Sequence, residues 1–226
     1  YIGILKKQNL RITGFYRYSY FDTYYRESSP DNSFKILKNT FYNFTGTSVA
    51  FGLTHKVTIE NEAGFFINKT QVYNTNPEII RNTTGFSNGT LSLKYGFIYN
   101  EASEFELTGG IGIKYPFSLD TVFYDNNVQL PRELHLSQGA FGAVGHLFIS
   151  KTFSSQQLIF LFINRYDYNF PDRSSYKSGM LLMNSFFAGK IFKKKFITLL
   201  QIRSEWRGVD VEKNNDRIRN CFEFLF

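Results

Sequence analysis

The feature that most constrains the fold is a pair of strictly alternating segments between Gly89 and Tyr115. The first segment places Leu91, Leu93, Tyr95, Phe97 and Tyr99 on one parity and Ser92, Lys94 and Gly96 on the other. After a five-residue polar break the second segment sets Phe105, Leu107, Ile111, Ile113 and Tyr115 against Glu106, Thr108, Gly110, Gly112 and Lys114. A period of two indicates β-strands. Each arm has about 10 residues, enough for a tilted strand to cross a bilayer, so the segments predict a transmembrane hairpin.

Composition is compatible with a membrane location. The chain of 226 residues has no Pro/Ser-rich linker, which predicts one domain spanning residues 1–226. Its mean hydropathy is −0.26, but this average is uninformative because every second residue of a transmembrane strand faces a polar lumen. No apolar run reaches the roughly 18 residues that a transmembrane helix needs. The first methionine is Met180, and we expect that an export signal has been removed.

The alternating pattern continues along the whole chain. Short breaks at 54–56, 100–104, 151–156 and 193–195 alternate with longer ones at 22–39, 69–88, 116–133, 169–177 and 208–216. Outer-membrane barrels have this asymmetry, whereas a β-sandwich has no reason to keep it. The sequence thus predicts an all-β fold: an antiparallel up-and-down transmembrane β-barrel of about ten strands with short periplasmic turns and long extracellular loops. We place the strands at about 9–21, 41–53, 57–68, 89–99, 105–115, 134–150, 157–168, 178–192, 196–207 and 217–226.

The last hairpin is predicted with Arg207 opposite Arg217. This register places Glu205 opposite Arg219 on the same face. The other face then pairs aromatic with aliphatic residues: Trp206 with Ile218, Ile202 with Phe222, and Leu200 with Phe224.

The final ten residues, Arg-Ile-Arg-Asn-Cys-Phe-Glu-Phe-Leu-Phe, carry a family resemblance. With Phe222, Phe224 and the terminal Phe226 on one face, they resemble the C-terminal assembly signal of bacterial outer-membrane β-barrel proteins. That resemblance implies the barrel-assembly machinery as a partner during biogenesis. The segments Gly109-Gly-Ile-Gly-Ile-Lys-Tyr-Pro116 and Tyr176-Lys-Ser-Gly179 resemble transporter-like barrels grouped with phenol meta-pathway proteins, which implies uptake of small solutes. The Phe/Tyr/Asn/Lys-rich composition resembles that of proteins from Bacteroidota.

The inward parity of the predicted strands is rich in charge. It comprises Arg11, Arg17, Glu60, Glu62, Lys94, Glu106, Lys114, Arg203, Glu205, Arg207, Arg217, Arg219 and Glu223. In so narrow a barrel opposite charges pair across the lumen, because unpaired buried charge is costly. The same residues also suit a narrow hydrated pathway. Several inward residues are small: Gly46, Ala50, Gly52, Gly110 and Gly112. They leave room either for large neighbouring side chains or for water, and parity does not decide between these two interpretations.

Outward aromatic residues gather near the predicted strand ends, where girdles meet the lipid interface. The predicted girdle contains Tyr16, Tyr18, Tyr20, Tyr95, Tyr99, Tyr115, Tyr166, Tyr168 and Trp206. An aromatic surface for contact with another protein is the alternative interpretation of the same residues.

For catalysis the one candidate is His135, which the predicted register places about opposite Asp172 with Asp167 nearby. An Asp/His pair that activates water would resemble the ten-stranded outer-membrane proteases, but such residues are also ordinary in loops. His146 and His55 have no nucleophile or metal ligand at a recognisable spacing. We therefore predict no catalysis, cofactor or metal. The net charge of +7 is spread along the chain, which argues against nucleic acid as a partner.

The resulting expectation is a non-enzymatic barrel in the outer membrane of a Gram-negative bacterium, in contact with outer-membrane lipid and lipopolysaccharide. The first hypothesis is a largely side-chain-filled barrel that acts through its loops or outer wall, as an accessory subunit of an assembly with other outer-membrane proteins. The competing hypothesis is a narrow channel for small solutes. A protease with its site at the rim is the third.

Overall fold

A computed structural model of the chain describes residues 3–23, 25–26, 29–30, 37–100, 102–118, 123–124, 128–192, 196–212, 215–217 and 221–225. The main sheet has eleven strands in the described residues, and ten of them form its continuous path: β1 Leu10–Phe21, β2 Leu37–Gly52, β3 Val57–Tyr73, β4 Gly89–Asn100, β5 Phe105–Tyr115, β6 Gly142–Phe153, β7 Leu158–Asn169, β8 Leu181–Phe192, β9 Phe196–Arg207 and β10 Cys221–Leu225. No helix in the described part of the chain is long and apolar enough to cross a membrane.

Each strand of the main sheet pairs antiparallel with the next one in the chain, from β1 through to β10. The sheet is therefore of the up-and-down kind, and the predicted fold class is confirmed. The ladder curls with β1 and β10 as its two edges, and within the described residues no ladder joins these edges. Three short hairpins lie outside it: Tyr25–Arg26 with Ser29–Pro30, Phe123–Tyr124 with Val128–Gln129, and Asp210–Glu212 with Asn215–Arg217.

The two faces of the sheet have opposite character. Along β4, Thr90, Ser92 and Lys94 are buried, whereas Leu91 and Leu93 between them are exposed. A soluble protein would bury the apolar parity and expose the polar one. In a transmembrane barrel the pattern is reversed, because lipid solvates the outer wall and the polar side chains satisfy one another inside.

The wall is taller on one side of the sheet. At 17 residues β3 is about 55 Å long, and even tilted by about 45° it exceeds the roughly 30 Å hydrocarbon core. Its first half pairs with β4, and its second half pairs with an additional strand, Ile79–Phe86. The predicted loop at 69–88 therefore contains a strand, and this part of the wall extends beyond the membrane on the side of the long loops.

The start of β6 differs from the prediction. Residues 134–141 do not continue the strand, and β6 begins at Gly142. Instead, residues 130–141, here called the inward loop, include a short 3-10 turn at Arg132–Leu134 and pack on the inner face of the sheet. Leu134 is fully buried there, and its carbonyl accepts a hydrogen bond from the Thr83 hydroxyl at 2.8 Å.

The register of the last hairpin is also different from the predicted one. Arg207 pairs with Cys221, four residues further along than Arg217, so the parity of the strand is kept but every partner changes. Arg217 instead pairs with Asp210 in an external hairpin that bridges to Lys177 through Val211. Arg217 therefore lies in this hairpin and not in the last strand, where it was predicted.

One β-bulge changes the face of a predicted girdle residue. The register between β4 and β5 shifts between Gly96 and Ile98, so that Phe97 is the extra residue. Beyond the bulge Tyr99 lies opposite Glu106, whose side chain is buried in the lumen. Tyr99 therefore has the inward parity, and its assignment to the lipid-facing girdle is wrong because an extra residue reverses the alternation.

Candidate functional site

The lower half of the lumen, near the short turns, is closed by a buried group of charges. Glu60 accepts a hydrogen bond from the Lys94 ammonium at 2.7 Å and another from the Arg11 guanidinium at 3.0 Å. The Lys94 and Glu60 side chains are 3% and 5% exposed. The triad connects β1, β3 and β4 and so spans the intervening β2 on the inner face of the sheet.

A second charged layer lies nearer the long loops. From β7, Arg165 reaches the Glu62 carboxylate of β3 at 2.9 Å and binds Asp167 of its own strand at 2.7 Å. Lys114 of β5 lies 3.8 Å from the other oxygen of Asp167. Because β3 and β7 are not neighbours in the sheet, the Arg165–Glu62 pair crosses the lumen. We call these four residues the ionic floor.

Residues 3–9, here called the lead segment, lie inside the sheet at the end of the short turns. The amides of Gly3 and Ile4 each donate to one oxygen of Glu106 at 3.1 Å, and the Leu5 amide donates to the Thr58 hydroxyl at 2.8 Å. Ile4 and Leu5 are both buried. The lead segment therefore obstructs the lower lumen, where hydrogen bonds to the side chains of Glu106 and Thr58 help to hold it.

Above the ionic floor the lumen opens into a cavity of about 630 Å³. Its described lining carries six cationic side chains against three carboxylates, those of Glu62, Asp167 and Asp210. The cations are Arg17, Lys69, Lys114, Arg132, Arg165 and Arg207. The cavity is therefore electropositive over its described lining, and this balance favours anions.

The inward loop forms one side of this cavity and is fastened at several points. The Lys69 ammonium donates to the His135 carbonyl at 2.8 Å, and the Lys114 ammonium donates to the Gln138 side-chain oxygen at 2.8 Å. Asn88, just before β4, accepts from the Ser137 hydroxyl at 2.7 Å. The inward loop thus narrows the cavity, and Lys114 connects the loop to the ionic floor.

An external clasp fixes the loops around the mouth of the cavity. Arg132 donates to Asp172 at 3.0 Å and lies 3.5 Å from the centre of the Tyr176 ring. The Tyr176 hydroxyl donates to Asp210 at 2.6 Å. Burial raises the pKa of the Asp172 carboxyl, but hydrogen bonds from the Ser174 hydroxyl, Arg132 and two backbone amides outweigh it and hold that pKa below its ordinary value.

Another part of the cavity wall is aromatic. Phe15 of β1, Tyr42 and Phe44 of β2, and Phe66 of β3 all line it. We call these four residues the aromatic ladder. The sequence analysis did not single them out, although the parity of Gly46 and Glu62 already assigns Phe44 and Phe66 to the inner face.

The predicted lumen charges fall into three groups. Those brought together in the pairs above are Arg11, Glu60, Lys94, Glu62 and Lys114, while Glu106 holds the lead segment. Arg203 pairs with Glu205 on β9 at 2.9 Å, and Arg17 and Arg207 line the cavity. Glu223 lies opposite Glu205 in the register, and Arg219 lies outside the described residues.

The predicted aromatic girdle is mostly on the outer wall. Among the members with outward parity, Tyr95 is exposed near the short turns, and the other exposed ones lie towards the long loops: Tyr16, Tyr18, Tyr20, Tyr166 and Tyr168. Tyr115 and Trp206 are half-buried, and the Tyr115 hydroxyl accepts a hydrogen bond from the Asn61 side chain at 3.0 Å. Of the predicted assembly signal, Phe222 and Phe224 lie in β10, and Phe226 lies outside the described residues.

The candidate catalytic residues are engaged in other contacts. His135 Nε2 lies 3.1 Å from the Leu130 carbonyl, to which it donates. Asp172 is bound by Arg132, Ser174 and the Tyr176 amide, while Asp167 is bound by Arg165. His146 lies 3.2 Å from the Ser92 hydroxyl deep in the lumen.

A curled up-and-down sheet with a polar inner face and an apolar outer face defines the class of outer-membrane β-barrel proteins. The fold is similar to the crystal structure of the COG4313 outer membrane channel from Pseudomonas putida F1, with a TM-score of 0.73 and 12% sequence identity over 95% of this chain and 78% of that one. No protein-family model and no curated protein sequence matches the chain. The likeness concerns the fold; the phenol meta-pathway resemblance and the Bacteroidota origin stay predictions.

Proposed function

We propose that this protein is a non-enzymatic channel for small solutes in the outer membrane of a Gram-negative bacterium. The observation that carries the proposal is the cavity of about 630 Å³, which lies on the long-loop side and ends on the ionic floor. The structural likeness to an outer membrane channel also supports it. A solute enters from the long-loop side and reaches the Arg165–Glu62 pair at the end of the cavity.

The lead segment is the gate of this proposed channel. The segment makes two backbone hydrogen bonds to Gly52 of the wall: the Gln8 amide donates to the Gly52 carbonyl at 2.8 Å, and the Gly52 amide donates to the Asn9 carbonyl at 3.0 Å. A Cβ atom added at Gly52 would lie 2.1 Å from the Lys6 carbonyl oxygen. Because the Lys6 carbonyl belongs to the backbone, no side-chain rotation relieves this contact, and Gly52→Ala must displace the lead segment.

Planar-bilayer recording tests the proposal with a matched pair of variants. The wild-type chain should show brief openings whose conductance scales with salt, and Gly52→Ala should open more often. Gly14→Ala is the control, because a Cβ at Gly14 meets nothing within 4 Å. Folding of all three is checked by heat-modifiable gel mobility.

Silent bilayers with folded wild type and folded Gly52→Ala would refute the channel. A second candidate would then stand, a closed barrel that acts as an accessory subunit through its loops or outer wall. A specific observation favours it: buried ion pairs and the lead segment fill the lower lumen. Its test is co-purification of other outer-membrane proteins with the folded chain.

A further inference from the structure

The aromatic ladder is a continuous strip of rings on the inner wall. Phe44 lies at its centre, with its ring centroid 5.9 Å from that of Phe15 and 4.8 Å from that of Phe66. The Tyr42 ring meets Phe66 edge-on at 6.3 Å. These spacings are those of favourable aromatic pairs, so the strip is a packed unit.

Two glycines allow the rings to lie close to the wall. A Cβ atom at Gly46 would lie 2.2 Å from the Phe15 ring, and one at Gly64 would lie 2.2 Å from the Phe44 ring. Covering a glycine is a structural role for an aromatic residue. This structural role does not explain the exposed part of the Phe15 side chain, which is still 51% exposed on the face that normally carries polar residues.

Two cations accompany the ladder. Arg17 lies 5.5 Å from the centre of the Phe44 ring, and Lys69 lies 5.0 Å from Phe66 and 5.4 Å from Tyr42. Both cations line the cavity together with the rings. Apolar rings and positive charge therefore share one wall, and a ligand that contacts this wall meets both at once.

We propose that the aromatic ladder, Arg17 and Lys69 form a binding site for small aromatic carboxylates. The inference deepens the proposed function, on which it rests, by naming the class of solute. The ligand ring packs on the ladder, and its carboxylate is attracted by the cations. The cavity volume of about 630 Å³ falls in the range of roughly 300–1,000 Å³ that is usual for small-molecule sites.

The charge of the ligand follows from the lining. Six cations against three carboxylates among the described lining residues attract an anion and repel an amine. The aromatic character follows from the ladder, since an inorganic anion would leave the rings in contact with water. The aromatic ladder thus selects the ring of the ligand, and the cations select its carboxylate.

The test is isothermal titration calorimetry of the folded chain in detergent micelles with benzoate. Two analogues separate the contributions: benzyl alcohol keeps the ring without the charge, and cyclohexanecarboxylate keeps the charge without the aromatic ring. Benzoate should bind more tightly than both. Equal binding of benzyl alcohol, or no binding of benzoate, would overturn the proposal.

Matched variants locate the site. Phe44→Leu should weaken benzoate binding about fivefold or more, whereas Phe51→Leu, the same change on the outer face of the same strand, should leave it unchanged. Lys69→Met should weaken binding by about tenfold. The control Lys38→Met removes a lysine that pairs with Glu78 at 3.1 Å on the surface. Equal losses in variants and controls would contradict the assigned site.

The two proposals fail separately. Benzoate binding to a chain that never conducts would keep the site and refute the channel. Conductance without benzoate binding would keep the channel and refute the aromatic carboxylate as its ligand.

Discussion

Charged side chains buried in the lumen are sensitive to the loss of a partner. The Glu60 carboxylate is 5% exposed and the Lys94 ammonium is 3% exposed. Removing Lys94 leaves the buried Glu60 carboxylate with the partly exposed Arg11 as its remaining partner in the triad, and the loss of one partner of a buried charge is more costly than the net value of the pair. At the surface, water replaces a lost partner.

Lys94→Met should therefore lower the free energy of unfolding by about 3–5 kcal/mol, measured by urea titration with gel mobility as the readout of folding. Lys38→Met, which breaks the exposed pair with Glu78, should change it by about 0–1 kcal/mol. The double variant Glu60→Gln with Lys94→Met should recover part of the loss. Equal changes in the free energy of unfolding for Lys94→Met and Lys38→Met would contradict the burial of the Glu60–Lys94 pair.

The clasp at the mouth should depend on pH through Asp172. Because its pKa in the folded protein lies below the ordinary value of 3.8, the contribution of Asp172 to stability is present above that value and is lost as the pH falls through the lower, folded-state pKa. A chemical-shift titration of the Asp172 carboxyl carbon should show a midpoint below 3.8. A midpoint at or above that value would show that the bonds from Ser174 and Arg132 do not favour the charged form.

At the scale of strands and loops, local alternation sets most of the boundaries. The prediction for β9, 196–207, matches its observed bounds, and β4 and β5 agree to within a residue. The start of β6 was missed because the inward loop is defined by distant contacts such as Thr83 with Leu134. Arg165 was missed because β7 begins with a run that is apolar on both parities, Leu158 to Ile163, which hides the inner face.

Bulges and glycines are a second source of error, because each changes the alternation or the backbone at one residue. Gly85, at the end of the additional strand, has a φ of +146°, a conformation that side chains disfavour. A Cβ atom there would also lie 2.8 Å from Leu136 of the inward loop. Sequence alternation carries no sign of either constraint.

Gly85→Ala should detach the inward loop from the wall. We expect a loss of about 1–3 kcal/mol in stability and faster hydrogen exchange of residues 130–141 by mass spectrometry. Gly145→Ala is the matched control, since its nearest atom, Tyr166 Cβ, lies 4.0 Å away. Unchanged exchange in Gly85→Ala would mean that the loop is fixed by its polar contacts alone.

At the scale of the whole molecule, the charges are distributed unevenly along the axis. The cavity on the long-loop side is electropositive over its described lining, whereas the described lower lumen sets two cations, Arg11 and Lys94, against two carboxylates, Glu60 and Glu106. The predicted lumen charges therefore differ by position. Those of the lower lumen pair with one another, whereas those that line the cavity contribute to its net positive charge.

The proposed channel should therefore prefer anions. In a potassium chloride gradient the reversal potential should have the sign of chloride permeation, and the preference should weaken as salt shortens the screening length. Arg17→Gln should reduce it, and Lys38→Gln, outside the cavity, should leave it unchanged. A potassium-selective reversal potential would contradict the assigned charge balance.

The lead segment has one more consequence. Glu106 accepts hydrogen bonds from Gly3, Ile4 and the Thr108 hydroxyl, and two of these three donors leave whenever the segment leaves. A buried carboxylate that loses its donors becomes less stable, so departure of the segment raises the free energy of the pore that it vacates. Return of the lead segment is therefore favoured, and we expect the proposed channel to be closed at rest.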